Sequence, residues 1–71
     1  MLNFTENDRT FLQENFGKCT PLLNANSPRE VLIAIYDLIE EKGFAPPHYD
    51  EYNDFGREAQ RIYDSIYLNN P

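Results

Sequence analysis

The sequence predicts an all-α fold, a small three-helix bundle, and three observations carry that prediction. Two apolar-periodic segments open on hydroxyl residues that suit helix caps, Thr5 and Ser27. Both are followed by a glycine stop, Gly17 and Gly43. A third segment repeats its apolar residues at steps of three and four, the spacing of one helix face. A fourth, short helical turn is expected at 20–24, where Thr20 stands before Pro21, since proline is tolerated at the first helical position.

The first helix is expected over about 5–16. Thr5 followed by Asp8 resembles a capping box with aspartate in place of glutamate, and Glu6 and Asp8 suit the positive end of the helix dipole. Phe4, Phe11, Leu12 and Phe16 fall on one broad face. The linker "KCTPLLNAN" follows, with Leu22 and Leu23 expected as plugs for the core.

The second helix, 28–42, has the clearest boundaries. Ser27 caps it, Pro28 is its first residue, and Glu30 is placed to close a capping box. The β-branched run "VLIAIY" would suit a buried strand, but the caps, the length and the polar continuation "DLIEEK" favour helix. At 100° per residue, Val31, Leu32, Ile35, Leu38 and Ile39 face inward, while Ile33 and Tyr36 point away from the centre of that face.

After the stiff turn "FAPPHY", the third helix is expected over 48–68, with Tyr52, Phe55, Ala59, Ile62 and Ile66 as its seam. Gly56 is then anomalous, because glycine inside a helix costs about 1 kcal/mol relative to alanine. Either the helix begins near Asp54, with Asp54 as its cap, or a neighbouring helix approaches closely along the Gly56–Ala59 edge. The uninterrupted seam favours close approach. No internal repeat or low-complexity tract occurs, and only "LNNP" looks frayed.

Length and composition narrow the function. With 71 residues, 41% of them apolar, the chain has the material for a single small domain. One cysteine, Cys19, excludes an internal disulfide, so packing or a partner must supply stability, and it suits a reducing compartment. The start lacks a secretory pattern and the longest apolar run is too short to span a bilayer, so a cytoplasmic protein with no membrane partner is expected. Twelve acidic residues against six basic ones give a net charge of −6, which opposes direct nucleic-acid binding. A helix-turn-helix reading fails on the same ground. The second helix would present Asp37, Glu40 and Glu41, and Arg57 and Arg61 on the third are offset by Asp50, Glu51, Asp54, Glu58 and Asp64.

Little in the chain suggests catalysis. The run "YDEYNDFG" resembles a calcium loop, but counting from Asp50 places Phe55 where the loop needs glycine and Arg61 where it needs a bidentate glutamate. Read as helix, Asp50, Asp54 and Glu58 form instead an acidic edge at i, i+4 and i+8, with Arg57 and Arg61 near enough to pair with it. A hard cation prefers converging oxygens to a straight row, so no metal is expected there. Cys19 and His48 each lie in a connection and could meet as a thiolate dyad, but no third orienting group is identifiable. The better readings are a small filler for Cys19 and a helix-start or surface ring for His48. The glycines form no phosphate-binding pattern. No catalytic residue, metal or cofactor is expected.

Surplus apolar surface remains. Ile33 and Tyr36 on the second helix, with Tyr63 and Tyr67 beside the seam of the third, form a candidate partner-binding patch rimmed by Asp37, Glu40 and Asp64. The expected function is that of a small, acidic, non-enzymatic protein–protein interaction module. Its partner is another protein, a basic one being steered by the acidic rim, or a second copy in a homodimer. The alternative is an acidic inhibitor of immunity, antitoxin or anti-defence type. Such a protein would use Asp50, Asp54 and Glu58 to occupy the nucleic-acid site of a basic enzyme.

Overall fold

The computed structural model describes residues 2–17, 20–48 and 50–70. They form four helices, α1 (Glu6–Phe16), α2 (Thr20–Leu23), α3 (Pro28–Lys42) and α4 (Asp54–Asn69), with no strand among the described residues. The fold is a small all-α bundle in which α4 packs against both α1 and α3, and the single turn α2 packs on α3. Phe11, Leu12, Val31, Ile35, Ile39, Ala59, Ile62 and Ile66 are buried between them, joined by Leu2 and Ala25 from the connecting segments. Leu22 and Leu23 are half-buried against this core, as plugs should be. Cys19 and Tyr49 lie outside the described residues, as does the side chain of Thr20, on which a cap for α2 depends.

Local chemistry fixes the start of α1. The Asp8 N–H donates to Thr5 Oγ1 at 3.1 Å and the Thr5 N–H donates to Asp8 Oδ2 at 2.9 Å, so the aspartate version of the capping box forms. Asp8 is also fully buried, and its Oδ2 accepts a 3.2 Å hydrogen bond from Ser65 Oγ on α4. One carboxylate thereby caps one helix and ties it to another.

The expected capping box at α3 does not form. The Ser27 hydroxyl accepts from the Arg29 N–H at 3.3 Å, one residue earlier than box geometry requires, and Glu30 stays exposed. Pro28 and Gly43 bound the helix as expected, the Gly43 N–H returning to the Ile39 carbonyl at 2.7 Å.

The third long helix begins at Asp54, six residues after the expected His48. Residues 43–53 double back instead. Phe44 and Tyr52 form an isolated antiparallel bridge, and the Ala45 N–H donates to the Glu51 carbonyl at 2.8 Å. Tyr52 therefore sits at the surface, its ring 5.2 Å from that of Phe44, rather than in the core seam. Asn53, not Asp54, caps α4, with its Oδ1 accepting from the Gly56 N–H at 2.7 Å.

Both readings of Gly56 contain part of the answer. The helix does begin beside it, and the backbone also approaches closely, but the neighbour is the end of α3. A side chain at Gly56 would fall on the carbonyl of Gly43. Asn53 seals this junction, donating from Nδ2 to the Lys42 carbonyl at 2.8 Å while its own N–H donates to the Gly43 carbonyl at 2.9 Å. It thus satisfies carbonyls at the end of one helix and caps the start of the next.

The two ends of the described chain are clasped. The Asn3 N–H donates to Asn70 Oδ1 at 2.6 Å and Asn70 Nδ2 donates back to the Asn3 carbonyl at 2.8 Å. This pairing holds Leu2 in the core. No described helix is long and apolar enough to cross a membrane.

Candidate functional site: a tyrosine-walled groove

The hairpin of α3 and α4 closes where Gly43 meets Gly56 and opens toward its other end. There, large side chains rather than backbones face each other across the seam. Leu32, Ile33 and Tyr36 of α3 and Tyr63, Tyr67 and Leu68 of α4 line a depression of about 470 Å³, with Arg29 and Asn70 at its margins. The four residues singled out from sequence, Ile33, Tyr36, Tyr63 and Tyr67, all line this one groove.

Their exposure explains why the groove stays open. Ile33 is 49%, Tyr36 54% and Tyr67 62% exposed, whereas Tyr63 is half-buried against the core and anchors the wall. Leu68, 73% exposed, was hidden by reading the chain end as frayed. Its signal was its place beside Tyr67 in a helix that continues to Asn69. The clustering of three tyrosines with isoleucine and leucine gives apolar area at low rotamer cost and leaves hydroxyls at the rim.

Electrostatics vary along the α3 face of the groove. Tyr36 has its phenol pKa raised above 10.0, first by hydrogen bonding to the Glu40 side chain and then by that carboxylate's charge, with Tyr52 and Asp37 adding to it. Toward the start of α3, Arg29 supplies positive charge and, among the described residues, takes part in no ion pair. On the α4 side, Asp64 is engaged by Gln60 Nε2 at 3.0 Å, and Gln60 Oε1 in turn accepts from the Tyr52 hydroxyl at 3.1 Å.

Comparison of the chain with protein-family models, curated proteins and solved structures finds no match.

The second depression, about 640 Å³, lies between α1 and α4 and is polar. Asn7, Thr10 and Glu14 face Asp54, Arg57, Glu58 and Arg61 across it. It contains two members of the expected acidic edge, but not as a ladder. Asp50 precedes α4, so only Asp54 and Glu58 share the helix, and Asp54 accepts from Arg57 at 3.3 Å in an exposed pair. Such a pair contributes little to stability, but it does offset the local negative charge.

His48 is exposed in the turn after α3, and Cys19 lies outside the described residues. Among the described residues, no three His, Cys, Asp or Glu side chains come together in a way that could hold a metal ion. The buried Asp8 lines neither depression, and its second oxygen, Oδ1, has no hydrogen-bond partner. Its role is to join α1 to α4.

Proposed function

We propose that this protein is a non-enzymatic interaction module that binds another protein chain through the groove between α3 and α4. The observation that supports this reading is the gathering of Ile33, Tyr36, Tyr63, Tyr67 and Leu68 into one exposed apolar depression, beside a core that is already closed. A small bundle gains nothing in stability from leaving that much aromatic surface in water. Contiguous apolar surface rimmed by polar groups is the usual form of a docking site. Tyrosine is suited to the task because its ring buries apolar area while its hydroxyl still finds a hydrogen bond at the rim.

The inhibitor reading receives less support. It requires a continuous acidic face, and the face that carries Asp54 and Glu58 also carries Arg57 and Arg61. The acidic groups nearer the groove, Asp37, Glu40 and Asp64, act by steering a partner toward it rather than by imitating a phosphate backbone.

The test uses tagged wild-type chain and tagged Ile33→Asp as parallel baits in cells of origin, with an untagged copy of the chain also expressed. Proteins retained by wild type and lost by Ile33→Asp, with both baits melting alike, support the groove as the binding surface. If the folded variant retains everything that wild type retains, the groove is not the binding surface and the proposal fails.

A further inference from the structure

One exposed stripe of α3 carries more information than its hydrophobicity. Arg29, Ile33, Tyr36 and Glu40 recur at steps of four, three and four, so they share a face of the helix about 16 Å long. All four are exposed, and the buried residues Val31, Ile35 and Ile39 lie on the opposite side. The stripe is a second seam, of the spacing that packs one helix against another, and among the described residues no helix lies upon it.

The stripe is also symmetric in an unusual way. Its midpoint falls between Ile33 and Tyr36, and equally between Arg29 and Glu40. A second α3 laid antiparallel about that midpoint brings Ile33 opposite Tyr36 of the partner subunit. The same operation brings Arg29 opposite Glu40 of the partner subunit, and then each pair once more by symmetry. The ends carry opposite charges, as an isologous two-fold contact requires, because such a surface must be complementary to itself. A stripe ending in two like charges would repel its own copy.

We infer that the groove's occupant is a second copy of this chain, joined by antiparallel pairing of α3 about a two-fold axis between Ile33 and Tyr36. This inference rests on the groove being a docking surface and adds the identity and register of what docks. In the dimer, Ile33 of the partner subunit packs near Tyr36 at the mouth of the groove, with Tyr63 and Tyr67 as the flanking wall. Arg29 gains the partner's Glu40 as its counter-ion. The net charge of −6 on each copy opposes association at long range. Screening over about 8 Å at physiological ionic strength confines that repulsion to near neighbours, where the two Arg29–Glu40 pairs act.

The experiment is a charge exchange on the full chain at physiological salt, read by sedimentation or light scattering across micromolar to millimolar concentration. Wild type is expected to show a monomer–dimer equilibrium. Arg29→Glu alone and Glu40→Arg alone each place two like-charge pairs in the contact and weaken it by about tenfold or more. An equimolar mixture of the two variants restores association as a mixed dimer, because each then meets the opposite charge at both ends. Antiparallel pairing in this register predicts the whole set, a wild-type dimer, weakening by each single reversal and rescue on mixing, whereas parallel pairing would already set like charges against each other in wild type. Circular dichroism of each variant separates lost pairing from lost folding.

A wild-type chain that stays monomeric at millimolar concentration overturns the dimer. Dimers that the single reversals leave untouched, or that mixing fails to rescue, overturn the register. If the dimer fails while Ile33→Asp still loses a captured protein, the groove serves a different partner. If Ile33→Asp loses nothing, the docking surface itself has failed.

Discussion

The two ends of the α3–α4 hairpin are built on opposite principles. At the Gly43–Gly56 end the backbones touch, and a single asparagine satisfies the polar groups of both helices. At the Tyr63–Tyr67 end, aromatic rings line the surface beside the seam and an apolar depression of about 470 Å³ is left open. The same pair of helices thus has a closed end that serves stability and an open end that is the docking surface we propose. Side-chain volume and helix phase make the difference. Glycine allows close approach, while Tyr36 and Tyr67 lie off the buried faces of their helices and stay exposed. Lys42 and Phe55 reinforce the closed end, the ammonium lying 4.9 Å from the ring centroid and the ring stacked on Phe11.

The largest effect is expected where the backbones touch. Gly56→Ala drives a methyl group into the Gly43 carbonyl, and backbone cannot yield as a flexible side chain can. A loss of about 3 kcal/mol is expected, at the upper end of overpacking, which for a chain of this size lowers the melting temperature by about 12 °C or more. Gly17→Ala is the control, since nothing lies within 4 Å of its added carbon and only its φ of 58° resists, a penalty of about 1 kcal/mol. If the two variants melt alike, close approach is not what seals this end.

Asn53 supplies the next effect and separates its two roles. Asn53→Ala removes both the cap of α4 and the bond to the Lys42 carbonyl, with an expected loss of about 1–2 kcal/mol by thermal melting. Asn53→Asp keeps an acceptor for the Gly56 N–H but loses the amide donor, and sets a negative charge beside the carbonyl end of α3. It should therefore fall between alanine and wild type only if the cap is the larger contribution. A variant as damaged as alanine would put the weight on the α3 carbonyls instead.

The same contrast explains what could be read from the sequence. The inward face of α3 and the outward Ile33 and Tyr36 were legible because fifteen helical residues carry a clean period between strong stops. The capping box of α1 was legible because both partners lie within one turn. The start of α4 was not, because Tyr52 happens to continue the three-and-four spacing although it belongs to the bridge with Phe44. Asn53 three residues before Gly56 was the competing signal, and periodicity obscured it. Burial of Asp8 could not be read at all, because its partner Ser65 lies 57 residues away. The meeting of Gly43 with Gly56 was visible only as an anomaly without a neighbour.

At the open end, substitutions should leave stability nearly unchanged while abolishing association. Ile33→Asp exchanges one residue of middling helix propensity for another at a half-exposed site, so melting should move by no more than about 0.5 kcal/mol. Its effect belongs in the concentration dependence of sedimentation, where the dimer signal should vanish. A destabilisation comparable to Gly56→Ala would mean that Ile33 supports the core, and the division between closed and open ends would collapse.

The smallest effect concerns the Tyr36 phenol, and it reports on the groove without perturbing the fold. Glu40 raises its pKa above 10.0 because a neighbouring carboxylate favours the protonated hydroxyl, which donates to it, and repels the phenolate. A raised value in the folded state means that the favourable contact is present below 10.0 and is lost as pH climbs through the raised value. The group is exposed, so melting at neutral pH should not register the change. A difference titration of phenolate absorbance against Tyr36→Phe isolates this ring from the other four tyrosines. Glu40→Gln should bring its midpoint down toward the ordinary value. A midpoint that Glu40→Gln leaves unmoved would show that this carboxylate is not what holds the phenol protonated.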